Sequence, residues 1–198
     1  MSSKNEDTRT RILKAALALL ESGTAVRMSD IAKAAGISRQ ALYLHFPNRA
    51  DLLIAATRYL DEISDTDAKL AASRSARRGT ERLDAYIEAW GNHIPEVYGV
   101  ARALLAMRDS DAEAATAWTN RMAAMREGCE AAVRMLARDG DLNPRYVEDQ
   151  ATDLLWTLLS VRGWELLRLE CGWSQETYVA EMKAVARAAL LPPHGGGH

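Results

Sequence analysis

"MSDIAKAAGISRQALYLHFPNRADLL", residues 28–53, decides how this chain is read. Met28, Ile31, Ala32 and Ala35 recur at helical spacing before Gly36, and Leu42 holds the inward position of a second short helix after it. A glycine just past the last apolar position stops a helix, because it enters the left-handed region without a Cβ penalty. Ile37 plugs the turn, and Ser38 is an N-cap residue for a helix running to about His45. Pro47 cannot continue that helix. Asn48 caps the next one, and Asp51 puts a carboxylate into its first turn. Two short helices joined by a tight, glycine-containing turn form a helix-turn-helix.

Working outward, "TRTRILKAALALLESG" (8–23) carries the stripe Ile12, Leu13, Ala16, Leu17 and Leu20, and Gly23 ends it. Together with Ile31, Ile37 and Leu42 this stripe makes a small core. The helix beginning at Arg49 is expected to reach about Ala72, with Phe46 packing inward between it and the head. "SRSARRGT" (73–80) reads as a loop. A helix follows over about 80–90, and Gly91, Pro95 and Gly99 are expected to break the next stretch into short pieces over 95–108. Long helices are expected over about 111–138 and 144–170, and a last one over 175–190, capped by Ser174. Period-2 alternation and hairpin dipeptides are absent. The expected fold is all-α, about nine helices: a three-helix head over 1–48, a larger helical domain over 49–190, and a disordered tail over 191–198.

The 198 residues are 48% hydrophobic and 26% charged, ordinary globular usage with helix-forming composition. The net charge of −2 hides an asymmetry. Residues 1–50 hold eight Lys/Arg against four Asp/Glu, a net of +4, and the remainder carries a net of −6. A basic head on an acidic body points to an anionic partner for the head. The polar N-terminus contains no signal peptide, no apolar run is long enough to cross a membrane, and two distant cysteines suit a reducing compartment. The expected location is cytoplasmic.

With Ile31, Ile37 and Leu42 inward, the third helix turns Arg39, Gln40 and Tyr43 outward. A recognition helix presents such side chains to base edges in the major groove. Arg donates two hydrogen bonds to guanine, and Gln pairs with adenine. Ser38, Tyr43 and His45 reach phosphates, and the helix N-terminus at Arg49 attracts another. Lys33 reads as a solvated face residue.

The pattern Ile31-Ala32, Ala35-Gly36-Ile37-Ser38, Leu42-Tyr43, His45-Phe46 and Arg49 resembles the DNA-binding region of TetR-family transcriptional regulators. The resemblance covers residues 8–53. It implies a homodimer on a palindromic operator in double-stranded DNA, with half-sites about 34–36 Å apart. It also implies a repressor released from that operator by a small-molecule effector. There are departures. Arg49 replaces the usual Lys, so a point ammonium becomes a fork. Val26 and Arg27 stand where a Ser/Thr cap is common, which makes Arg27 a candidate phosphate contact. Gln40 replaces a frequent Gly or Pro.

The 144–170 stretch is apolar nearly all round, so it is buried on more than one side. The family resemblance implies that it and the last helix pair with their copies in a four-helix bundle. Leu155, Leu159, Trp164, Tyr178, Met182 and Val185 are the expected interface residues. It also implies a pocket among the middle helices, with Tyr86, Trp90, His93, Met107, Trp118, Met122, Met125 and Trp156 as candidate lining residues for a largely apolar effector. Trp118, Met122 and Met125 share one helical face.

No Ser/His/Asp or Cys/His constellation, glycine-rich phosphate loop or metal-ligand spacing appears. The expectation is a non-enzyme with no cofactor and no metal. The alternative is a helical interaction or architectural module. Cys129 and Cys171 read as small core hydrophobes rather than a redox switch. His194 and His198 have no fixed geometry.

Overall fold

Helix boundaries follow the caps the sequence supplies. The computed structural model describes residues 7–23 and 26–193; His194 and His198 lie outside them, as does the tail beyond Pro193. Among the described residues there are helices and no strand. In the head, α1 spans Thr8–Glu21, α2 Met28–Ala34, α3 Arg39–His45 and α4 Arg49–Ile63. After α2, Gly36 takes φ +66°, and Ile37 N–H closes back on Ala32 O at 3.0 Å. That turn sets the direction of α3. Ser38 Oγ accepts from Ala41 N–H at 3.1 Å. Asn48 Oδ1 accepts from Asp51 N–H at 2.8 Å while Asn48 Nδ2 donates to Asp51 Oδ2 at 2.8 Å, a reciprocal cap on α4.

The helix from Arg49 stops at Ile63, not near Ala72. Ser64, Asp65 and Thr66 prefer local hydrogen bonds to helix propagation. Asp65 takes a left-handed φ of 52°, which Asp tolerates better than most residues. Two short helices follow, α5 (Thr66–Lys69) and α6 (Ala71–Ser75).

The expected break over 91–99 is absent: α7 runs unbroken over Gly79–Met107 with Pro95 inside it. A proline leaves the carbonyl four residues earlier without its helical donor. Here that carbonyl is Gly91 O, and Gln175 Nε2 donates to it at 2.9 Å. α8 spans Ala112–Asp139. The 144–170 helix is three pieces: α9 (Glu148–Leu158), α10 (Val161–Glu165, capped by Ser160) and a π-helical turn over Leu166–Glu170. Ser174 caps α11 (Gln175–Leu190) through Thr177 N–H at 3.1 Å.

The chain divides into two compact units, and not at residue 48. Unit 1 comprises residues 1–64 and 96–122, unit 2 residues 65–95 and 123–198. The fourth helix belongs with the head because Leu52, Leu53, Ala56 and Leu60 are buried in the same core as Ile12, Leu20, Ile31, Leu42 and Phe46. Val100, Leu104, Ala114 and Ala117 complete that core. In unit 2, α7 contributes Leu83, Tyr86 and Ile87, α8 Cys129, Val133 and Leu136, α9 Leu155, and α11 Tyr178, Met182 and Ala186.

Candidate nucleic-acid interface

Helix α3 has seven residues, and its outer arc carries the candidate contacts. Leu42 is fully buried, while Arg39, Gln40, Tyr43, Leu44 and His45 are exposed. Arg39 and Tyr43, one turn apart, form a unit: the guanidinium lies 5.7 Å from the ring centroid, and Arg39 Nη2 is 3.5 Å from Tyr43 Oη. A cation over an aromatic face loses rotamer freedom before any partner arrives. Ser38 is exposed, with its hydroxyl already serving as the cap of α3. Arg27 is exposed at the N-cap of α2 and makes no side-chain cap there. Lys33 is exposed on the same helix. His45 lines a groove of about 570 Å³ with Arg9, Phe46, Arg58 and Tyr59, and the Arg9 guanidinium stands 5.1 Å over the Phe46 ring.

Arg49 is placed differently from the other bases. Its side chain is only 14% exposed. Nη1 donates to Val26 O at 3.0 Å, Nη2 pairs with the Asp111 carboxylate, and Nε lies 3.3 Å from Glu113 Oε2. Its backbone N–H donates to Glu113 Oε1 at 3.1 Å. The guanidinium expected on a phosphate is therefore engaged by protein. Asp111 in turn caps α8, accepting from the N–H groups of Glu113 and Ala114 at 3.1 Å each. Burial raises the Asp111 carboxyl, but Arg49 and the two backbone N–H groups outweigh it and hold it below the usual carboxylate range. The only sequence signal for this pairing was an acidic N-cap before α8. Its partner lies 62 residues away, and no local pattern reports that.

The expected interface residues Leu155, Leu159, Trp164, Tyr178 and Met182 are buried within unit 2 by its own helices. Of that set only Val185 is exposed. The exposed large hydrophobic residues of unit 2 are instead Val147, Leu154, Leu166, Leu169 and Val185. The period of an all-round apolar helix cannot say which face the chain itself consumes.

Of the candidate lining residues, Met107, Trp118 and Met122 lie in unit 1, and Met107 and Trp118 pack against its core. Tyr86, Trp90, His93, Met125 and Trp156 lie in unit 2. Tyr86 Oη donates to Met125 O at 2.9 Å, and Trp90 Nε1 to Leu159 O at 2.9 Å. His93 is buried beside Trp90, with Nε2 3.4 Å from Thr66 Oγ1. Trp156 Nε1 and Tyr178 Oη are buried with no hydrogen-bonding partner among the described residues. An unsatisfied buried polar group costs about 1–3 kcal/mol.

The cysteines separate by environment. Cys129 is buried beneath Tyr86, and burial pushes its thiol up to about 12, while Cys171 is exposed. A thiol reagent at neutral pH is therefore expected to modify one cysteine in the folded chain and both after denaturation. Prompt reaction of both in the native protein would contradict this burial.

Residues 12–56 match the family described as bacterial regulatory proteins, tetR family. Two curated relatives align over part of the chain. One is the nucleoid occlusion factor SlmA of Marinomonas sp. (strain MWYL1), 39% identical over 64 residues, which are 31% of this chain and 32% of that protein. The other is the HTH-type transcriptional repressor LfrR of Mycolicibacterium smegmatis, 38% identical over 64 residues, 32% of this chain and 34% of that protein. The matched stretch thus spans about a third of these relatives. Beyond it the fold carries the likeness. A structure from Rhodococcus sp., assigned to the TetR-family transcriptional regulators, superposes with a TM-score of 0.73 at 21% identity, over 92% of this chain and 98% of that one. Residues 12–56, with the caps described above, thus match the head of the tetR family of bacterial regulatory proteins, and the all-helical body shares the fold of the Rhodococcus structure.

Proposed function

We propose that the chain is a homodimeric, sequence-specific transcriptional repressor whose hold on its operator is released by a small-molecule effector. The observation that carries this is the outer arc of α3. Arg39 and Tyr43 form a pre-positioned pair beside Gln40, opposite the fully buried Leu42, on a head of net positive charge. Arg and Gln in this position read guanine and adenine edges, while Ser38, Tyr43, His45 and Arg27 are placed for phosphates. The name of the matched relative LfrR supports the sign of regulation.

A dimer would cover the exposed Leu154, Leu166, Leu169 and Val185 of unit 2. The effector would bind among the aromatic residues of unit 2 and satisfy Trp156 Nε1 and the Tyr178 hydroxyl. That makes it a mostly apolar molecule with at least one hydrogen-bond acceptor. It releases DNA only by its differential affinity for the conformer that binds the operator poorly.

The test is selection of binding sites from random duplex DNA, followed by titration of the recovered site. A palindrome with half-sites about one turn apart is expected. Arg39→Ala should weaken binding to it by about 10- to 100-fold, since one bidentate contact is worth roughly 1–3 kcal/mol, with helicity unchanged. Recovery of no site at low or moderate salt would favour the helical interaction module instead.

A further inference from the structure

Helix α3 holds one side chain that packing does not explain. Leu44 is 85% exposed, the largest value among the exposed large hydrophobic residues described. A leucine bare in water within a head of charged and polar surface gains nothing from the fold. Its place on the helix is specific. Leu44 follows Gln40 by four residues, so the two form one row along α3, next to the row of Arg39 and Tyr43. Both rows lie on the arc away from buried Leu42.

We infer that Leu44 is a specificity residue that packs on the 5-methyl group of a thymine in the operator half-site. The inference rests on the DNA-binding reading above. Seven residues at 1.5 Å rise give a helix about 10 Å long, which fits within a major groove about 12 Å wide. The row of Gln40 and Leu44 then faces base edges, and the only apolar group those edges offer is the thymine methyl. On the same head, the cations Arg27 and Lys33 are exposed and suit the flanking phosphates. Gln40, one turn before Leu44, pairs with adenine. The row therefore reads an A·T-containing step by one polar and one apolar contact.

The experiment titrates wild type and Leu44→Ala against the selected operator, with each thymine replaced in turn by 2′-deoxyuridine, which removes only the methyl. At one thymine per half-site, the change should weaken wild-type binding about fourfold, the worth of one buried methyl-sized group. Leu44→Ala should bind the thymine and deoxyuridine operators equally. Because Leu44 is exposed, the variant should keep wild-type helicity and melting temperature. Indifference of the wild type to deoxyuridine at every thymine overturns the proposal without any mutant. So does a Leu44→Ala variant that keeps the full discrimination. Specific operator binding with no methyl effect leaves the DNA-binding reading standing and removes only this assignment; failure to select any operator removes both.

Discussion

Arg49→Ala should lower the stability of the chain by about 2 kcal/mol and its melting temperature by roughly 4–8 °C. The substitution leaves the Asp111 and Glu113 carboxylates without their cation and Val26 O without its donor. Breaking a buried pair from one side costs roughly 3–5 kcal/mol, and the partial exposure of both carboxylates scales that down. Arg49→Lys should recover only part of the loss, because an ammonium cannot serve three directions as the planar fork does. The pH dependence has a definite sign. Asp111 titrates lower in the folded chain than unfolded, so its stabilisation is present above its unfolded value of about 4. It is lost as pH falls through the folded value, and the gap between wild type and Arg49→Ala should close there. Thermal melts from pH 7 to pH 3 measure both effects. An unchanged melting temperature combined with weaker operator binding would return Arg49 to the phosphate role.

Gly79→Ala should cost about 3 kcal/mol, a fall of roughly 6–12 °C in melting temperature. A Cβ at Gly79 would lie 2.6 Å from Leu136 N and 2.7 Å from Leu136 Cα. These are backbone atoms inside α8, so no side-chain rotation relieves the clash and α7 must move away. The move also strains the bond from Gly79 N–H to Asp139 Oδ2, now 2.7 Å. Gly99 is the internal control. It lies inside α7, and its added Cβ would meet the Glu21 side chain at 3.5 Å, an ordinary contact. Gly99→Ala should therefore be neutral or stabilising by up to about 1 kcal/mol, the helix-propensity gain. Equal melting temperatures for the two variants would show that the α7–α8 approach is looser than these distances state.

The head was legible because its signals are local. Gly36, Ser38, Pro47 and Asn48 act within four residues of where they stand, and α2 and α3 begin and end where those residues require. Burial of Phe46 and exposure of Arg39 and Gln40 followed from the same 3.6-residue period. Errors appeared where a distant residue settled a local question. Pro95 and Gly91 read as breakers, yet Gln175 supplies the missing donor from α11. Leu155 and Tyr178 read as interface, yet their own unit buries them.

The sequence by itself therefore determined the all-helical class, the helix-turn-helix and the outward arc of α3, because periodicity, caps and left-handed glycines are properties of neighbouring residues. Only the tertiary structure decided that Arg49 belongs to Asp111 and Glu113, that α7 passes through Pro95, and that Leu154, Leu166, Leu169 and Val185 stay exposed while Leu155 and Tyr178 are buried. The physical reason is that pairing and burial depend on which helix face meets which. The hydrophobic effect supplies the force for that meeting but carries no direction of its own.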